Sequence, residues 1–269
     1  ARTVGRSCVA AKKVVPVLTE VLRSGYYPDD SNRRIINEEY HQYIFIQEDR
    51  FKLLSGVARM NKGKSHFNGD NFLISRLECG KAIAAIADGM GSGKRAYIES
   101  RMVIELMENC IDAGFDEKAS IDLINSAYIA GGGTGNPVTM DMSVIDCQSG
   151  YMHCMKLGAV STFIRRDKWV EIIQSTTLPM GVLEQVDYDC TTKKLYDGDY
   201  IVMVSDGVLD NIPCVNKEER MAQMIHALTI REPSAMAEKL LEQSLAYNDM
   251  KASDDCTVLV LGLFDTYEK

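Results

Sequence analysis

The stretch Ala84-Ala85-Ile86-Ala87-Asp88-Gly89-Met90-Gly91 runs four apolar residues into an aspartate and a glycine. Two others also place an aspartate against a strongly apolar run: Ile201-Val202-Met203-Val204-Ser205-Asp206-Gly207, and Asp254-Asp255-Cys256-Thr257-Val258-Leu259-Val260-Leu261. Apolar runs of this length, rich in Ile and Val, read as buried strands. A carboxylate at the mouth of a buried strand is costly unless something pairs with it. Three such carboxylates, two of them with no basic residue alongside, point to a bound cation.

Outward from these stretches the pattern is mixed. Asp70 to Asp88 reads as a hairpin, with arms Phe72–Ile74 and Ala82–Ala87 and a turn near Glu78-Cys79-Gly80. A long helix follows the glycines: Ala96, Ser100, Val103, Met107 and Cys110 form one stripe, and Gly114 closes it. A shorter helix is expected after Ser120, ending in Gly131-Gly132-Gly133. Thr139–Cys147, Tyr151–Leu157, Ser161–Arg165 and Trp169–Ile173 read as an antiparallel meander, followed by a strand at Tyr200–Ser205. Met221, Met224, Ile225 and Leu228 mark a helix. A second begins near Pro233, where a missing N–H does no harm. Thr257–Phe264 closes the chain as a strand. Antiparallel strands with two inserted helix pairs predict an α+β layered sandwich. The acids 70, 88, 206 and 254 all fall at strand ends, and spacing alone does not bring them together.

The N-terminal 40 residues differ. Val14, Val15, Leu18 and Leu22 lie at near-helical spacing, Gly25 closes that segment, and Tyr26-Tyr27-Pro28-Asp29-Asp30-Ser31-Asn32 reads as a turn or linker. The division expected is 1–40 as an N-terminal helix and linker, with a regulatory or dimerisation role, and 41–269 as the catalytic domain.

Composition excludes several classes. The 269 residues include 38 acids and 30 bases, a net charge of −8, which argues against nucleic acid as a partner. The eight cysteines show no C-x-x-C pair and the four histidines are scattered, so a zinc site of standard spacing is not expected. Reduced buried thiols suit a cytoplasmic protein, or the cytoplasmic part of a membrane-anchored one. The glycines at 89, 91 and 93 invite a phosphate-loop reading. Yet Gly93-Lys94 is followed by Arg95 and the required first glycine is Asp88, so the P-loop pattern fails, and the dinucleotide pattern fails by one residue. Taken alone, Asp88-Gly89 and Asp206-Gly207 are also ordinary turn dipeptides.

Jointly, the motifs resemble those of the metal-dependent serine/threonine phosphatases, the PPM family. Asp88-Gly89-Met90-Gly91 is similar to its D-G-x-G motif, Ser205-Asp206-Gly207 to its S/T-D-G motif, Asp254-Asp255-Cys256-Thr257 to its D-N/D-x-T motif, and Gly69-Asp70 to its first acidic motif. The likeness is nearest to the SpoIIE-type sporulation phosphatases. It also rests on Gly56-Val57-Ala58-Arg59, Gly69-Asp70-Asn71, Ser92 to Ala96, Lys156-Leu157-Gly158 and Leu178 to Gly181, and it spans roughly residues 50–265. The resemblance implies a four-layer αββα sandwich of two antiparallel sheets flanked by helices, with two Mn²⁺ or Mg²⁺ ions at the sheet ends. It implies that Asp88 bridges the ions and the Gly89 carbonyl binds one. Asp206 and Asp254 would hold the other, and Asp70 would bind directly or through water. Asp88, Asp206 and Asp254 would thus carry catalysis. Hard cations prefer such oxygen ligands, and two of them activate a water for in-line attack on phosphorus without a protein nucleophile.

Three positions depart from the animal members of the family. Gly69 stands where Glu usually precedes the first Asp, Met90 stands where a His is common, and no Arg occupies the phosphate-gripping position near Ser65 and His66. Arg59 is nearby but out of register, and His66 reads as an exposed loop residue. The function implied is hydrolysis of a phosphoserine on a regulatory protein, of the anti-anti-sigma factor type. A catalytically silent phosphoprotein-binding module with the same fold is the alternative, and a homodimer through the N-terminal segment is a further expectation.

Overall fold

A computed structural model describes every residue except 5, 6, 64, 78, 79, 131–135, 168 and 267–269. The chain forms two compact units, Ala1–Arg50 and Phe51–Lys269. Among the described residues no helix is long and apolar enough to cross a membrane.

In the first unit, β1 (Val9–Ala10) leads through a short 3-10 turn into helix α1 (Val15–Leu22), with Pro16 in its first turn. Arg23 ends α1 in the left-handed conformation. Tyr26–Pro28 forms strand β2 where a turn was expected, because Phe45–Gln47 (β4) pairs with it from 17 or more residues away. Between them β3 (Ile35–Ile36) pairs with β1. The expected apolar stripe is only partly covered. Val14, Val15 and Leu18 are half-buried, while Leu22, the last residue of the helix, is 53% exposed beside exposed Val17 and Val21.

The second unit is two five-stranded antiparallel sheets. Its elements run β5 (Phe51–Met60), β6 (Asp70–Leu77), β7 (Lys81–Gly89), α2 (Lys94–Asp112), α3 (Glu117–Ala130), β8 (Val138–Asp146), β9 (Tyr151–Leu157), β10 (Thr162–Arg165), β11 (Val170–Ile173), β12 (Asp189–Lys194), β13 (Tyr200–Val204), α4 (Asp206–Asp210), α5 (Lys217–Ala227), α6 (Pro233–Leu245) and β14 (Cys256–Asp265). One sheet has the order β11-β10-β13-β14-β5 and the other β12-β9-β8-β7-β6.

The alternation of side chains explains the layers. On β7, Ile83, Ala85 and Ala87 pack with Val103, Met107, Ile121 and Ile124 of α2 and α3. Ala84 and Ile86 point the other way, into a core shared with Ile201, Met203, Leu259 and Leu261 of the facing sheet. Val202, Val258 and Val260 in turn face Met221, Ile225, Met236 and Leu240 of α5 and α6. Strands covered on both faces read as unbroken apolar runs. Each fully buried Val, Leu or Ile in them contributes about 1.5–3 kcal/mol. The result is helices, sheet, sheet, helices. The α2 stripe Ala96, Ser100, Val103, Met107 and Cys110 is buried as expected. So are Met221, Met224, Ile225 and Leu228.

Four local readings need correction. The meander breaks between β9 and β10, since β10 and β11 join the other sheet; hairpin chemistry is local, but sheet membership is not. Strand β12 was not expected, for its run Asp189-Cys190-Thr191-Thr192-Lys193-Lys194 is polar, and it forms the edge beside β9. Helix α3 starts at Glu117, not after Ser120, because the Asp116 carboxylate accepts from Ala119 N at 2.7 Å and caps it. The short helix α4 went unread. The expected helix end at Gly131-Gly132-Gly133 and the hairpin turn at Glu78-Cys79 lie outside the described residues.

Candidate active site

The space between the two sheets is apolar along most of its length and polar at one end. There the inward positions of the strands carry Asp70, Asp88, Asp141, Lys156, Thr162 and Thr257. Asp70 opens β6 and stands opposite Asp88 in the antiparallel register. Asp206 is the first residue of α4, one residue beyond the end of β13 after Ser205, and Asp254 lies two residues before β14. Adjacent β13 and β14 pair Val204 with Val258, which sets their site ends side by side.

Glycine makes this convergence possible by close approach. A Cβ on Gly89 would lie 2.3 Å from the Ala96 carbonyl oxygen, and one on Gly207 would lie 2.2 Å from the Asp255 carbonyl oxygen. The loop after β7 therefore rests directly on the first turn of α2. Ser100 of α2 donates from Oγ to the Gly69 carbonyl at 2.5 Å, tying the start of β6 to the same helix.

Asp255 has a structural part that its sequence position did not reveal. Its two carboxylate oxygens accept from Gly69 N and from Lys62 N, each at 2.7 Å. The loop between β5 and β6 is thus pinned to the start of β14. Asn68 Oδ1 accepts from Asp70 N at 2.9 Å. Ser205 Oγ accepts from Thr257 N at 2.9 Å, and Ser205 N donates to the Thr257 carbonyl at 3.0 Å. These bonds use backbone donors, so they fix the frame without neutralising the acids.

The acids themselves are strained by proximity. Asp70 is fully buried, and neither of its carboxylate oxygens has a hydrogen-bond partner. Burial raises its pKa to about 7, with repulsion from Asp206 and Asp255 adding; the nearby hydroxyls of Thr257 and Ser205 pull it down less strongly. Asp88 is pushed up to about 10, first by burial, then by repulsion from Asp70, Asp206 and Asp254. Asp206 is also raised, by burial and then by Asp210 and Asp254. Asp206 is the most open of the four; Asp254, half-buried, lies 3.5 Å from the Lys62 ammonium.

Four carboxylates, sensing one another and lined up with the Gly89 loop, are an oxygen donor set suited to a divalent cation. The orphaned oxygens of Asp70 fit that role, since a cation would supply the missing partner. The side chains are not drawn into a closed cage: among the described residues no three acidic, His or Cys side chains are grouped to enclose an ion. Hard cations complete their shells with carbonyl and water oxygens.

Other departures are visible. Met90 is exposed and offers no proton. His66 is exposed, as expected. Arg59, at the end of β5, donates to the Asp70 carbonyl rather than facing solvent alone, and its guanidinium stacks 5.5 Å from the Phe72 ring. One pair was not expected from the sequence, although Lys156 stands in one of the stretches that carry the resemblance. Asp141 and Lys156 are paired across β8 and β9 and are almost fully buried. Their signal was available: each puts a charge at an inward strand position.

The fold is that of the PP2C-type phosphatase domains. The solved structure of the PP2C phosphatase domain with a fragment of the regulatory domain of the cell fate determinant SpoIIE from Bacillus subtilis matches with a TM-score of 0.81 and 28% identity, covering 96% of this chain and 75% of that one. The SpoIIE phosphatase domain from the same organism, in a crystal form without domain swapping, matches with a TM-score of 0.66 and 30% identity, covering 82% of this chain and 96% of that one. The Stage II sporulation protein E (SpoIIE) family matches residues 79–264, and the chain belongs to that family. Stage II sporulation protein E of Bacillus subtilis (strain 168) is 30% identical over 253 residues, which span 94% of this chain and 31% of that protein.

The raised acids set a pH dependence. In the metal-free folded protein Asp70 and Asp88 keep protons that the unfolded chain releases near the ordinary carboxylate value of 3.8. Their stabilising effect is therefore full at low pH and is lost as pH rises, through about 7 for Asp70 and on toward about 10 for Asp88. Between about pH 5 and about pH 8 the metal-free melting temperature should fall, and Asp88→Asn, uncharged throughout, should fall less steeply. Equal slopes in the two proteins would contradict this electrostatic reading.

Proposed function

We propose that this chain is a divalent-cation-dependent protein serine/threonine phosphatase acting on a phosphoserine of a small regulatory protein. The observation that carries the reading is the convergence of the carboxylates. Acids from β6, β7, α4 and the loop before β14 meet at one end of a PP2C-type sandwich, with two orphaned oxygens among them. Asp88, the Gly89 carbonyl, Asp206, Asp254 and Asp70 are the proposed ligands for two Mn²⁺ or Mg²⁺ ions. Bound there, such ions supply positive charge to phosphoryl oxygens and lower the pKa of water.

The residues of the chain do the rest. Asp88 and Asp206 flank a narrow cleft that also includes Thr139 and Ser205. Its water-accessible volume of about 60 Å³ suits a phosphoryl group better than a nucleotide. The Asp255 and Ser100 bonds tie the start of β6 to the start of β14 and to α2, so little reorganisation is needed there when charge develops. With Met90 where a His could stand, solvent is left to protonate the departing serine oxygen. Membership of the sporulation family favours an anti-anti-sigma factor as substrate.

Phosphate release from a phosphoserine protein should require Mn²⁺ and stop on exhaustive chelation. Asp88→Ala should lose more than about 100-fold in rate, beyond what loss of an outer partner costs. It should still melt at or above the metal-free wild-type temperature, because the cost of keeping a buried acid protonated at neutral pH has gone. Wild-type release rates in Asp88→Ala, or turnover without metal, would sink the assignment.

Residues 1–50 are proposed to be regulatory. In support, the SpoIIE structure that includes a regulatory fragment covers 96% of this chain, against 82% for the phosphatase domain alone. The exposed Val17, Val21 and Leu22 of α1 offer an apolar face for a second copy of the chain. Sedimentation of residues 1–269 should then show a dimer that residues 51–269 do not form. Identical association of both would remove the segment from this role.

A further inference from the structure

Lys156 and Asp141 form an ion pair in which both side chains are almost fully buried. Lys156 Nζ donates to Asp141 Oδ2 at 2.5 Å and to the Val160 carbonyl at 2.6 Å. Thr162 of β10 donates to the same Asp141 oxygen, which ties the two sheets together. A pair buried this deeply is weak evidence for stability, since apolar residues of similar size often serve as well. Its position offers a second role. Asp141 forms part of the floor of the cleft flanked by Asp88 and Asp206, and Gly158, Ala159 and Val160 form one wall.

That wall is clamped from two directions. The Gly158 N–H donates to Thr177 Oγ1 at 3.2 Å, and Thr177 Oγ1 donates in turn to the Lys156 carbonyl at 3.0 Å. Gly158 has φ +62°, and a Cβ there would lie 2.7 Å from Pro179, so only glycine fits. Lys156 takes the Val160 carbonyl. Among the described residues, the N–H groups of Ala159 and Val160 have no acceptor in the protein. In this cleft-lining turn the Val160 carbonyl is therefore engaged by Lys156, and two amide donors are spare. A carbonyl turned toward a phosphoryl group would repel it, whereas amide N–H groups bind it.

We propose that the amides of Ala159 and Val160 grip the phosphoryl group, and that Lys156 is the positioning residue that holds their turn in the donor-presenting conformation. The proposal rests on the phosphatase reading and supplies the grip for which no arginine stands in register near Ser65 and His66.

The test uses the full chain loaded with Mn²⁺ and inorganic phosphate as the probe. Phosphate affinity is measured by calorimetry, Mn²⁺ affinity separately, and kcat and KM with p-nitrophenyl phosphate. The variants are Lys156→Met, Lys156→Arg, and Asp141→Leu combined with Lys156→Met. The double variant removes both charges together, so it reads the proposal even if Lys156→Met strands the Asp141 charge and fails to fold. Phosphate should bind the double variant about tenfold more weakly, the worth of a hydrogen bond to a charged group. KM should rise by a similar factor while kcat and Mn²⁺ affinity hold, since the lost contact is made equally in ground and transition states. Lys156→Arg, which keeps a donor for Val160, should recover part of the loss. Wild-type phosphate affinity and KM in the double variant would overturn the proposal and leave the pair as a tie between sheets. So would a fall in phosphate affinity that merely follows a fall in Mn²⁺ affinity, or a wild-type protein that binds no phosphate. A wild-type protein without turnover would defeat the phosphatase reading, while the phosphate titration would still decide the role of the turn.

Discussion

Mutual repulsion among carboxylates at one end of a two-sheet sandwich is the constraint around which the second unit is arranged. Asp70 and Asp88 face each other across a strand pair, and Asp206 and Asp254 come from the sheet opposite. Left to themselves, such groups would push the sheet ends apart. They are held by bonds that avoid the charges: Asp255 to two backbone amides, Ser205 to Thr257, and Ser100 to Gly69. Gly89 and Gly207 let backbone reach backbone where any side chain would intervene. The frame is apolar on both flanks, so the acids' pKa values are raised, first by burial and then by their mutual repulsion. A divalent cation is the natural counter-charge for such a site.

The same end of the sandwich contains its opposite in Lys156. This ammonium is buried a strand away from the acids and is fully committed to Asp141 and the Val160 carbonyl. It does not neutralise the acid cluster, because its charge is already balanced by Asp141. The polar end of the core thus has two parts. One is an unbalanced acidic group open to a cation, and the other is a balanced pair that shapes the wall beside it.

Much of this was legible in the sequence. The apolar runs of β7, β13 and β14 are buried on both faces, and that produces their unbroken character. The stripes of α2 and α5 are single-sided, and their period shows it. The glycines after Asp88 and Asp206 announced the sharp breaks that place those acids at strand ends. What was hidden is long-range. No local pattern tells that β10 leaves the sheet of β9, or that polar Asp189–Lys194 is recruited as an edge strand. Tyr26–Pro28 became a strand through Phe45–Gln47, a partner far along the chain. The structural duty of Asp255 was masked by its neighbour Asp254, since adjacent acids read alike until their directions are known. Lys156 and Asp141 were visible as charges at inward positions, but only their cross-strand register makes them a pair.

If the acid cluster is the proposed cation site, its protons must leave when the cation arrives. At pH 7 the metal-free protein holds the proton of Asp88, and Asp70 and Asp206 are also shifted upward. Metal binding to such ligands must expel those protons. Calorimetric titration with Mn²⁺ at that pH, in buffers of different ionisation enthalpy, counts them directly. The observed enthalpy should vary with the buffer and correspond to release of about one proton or more per protein. A binding enthalpy independent of the buffer would mean that the acids were already ionised, and that the repulsion on which the site rests is not there.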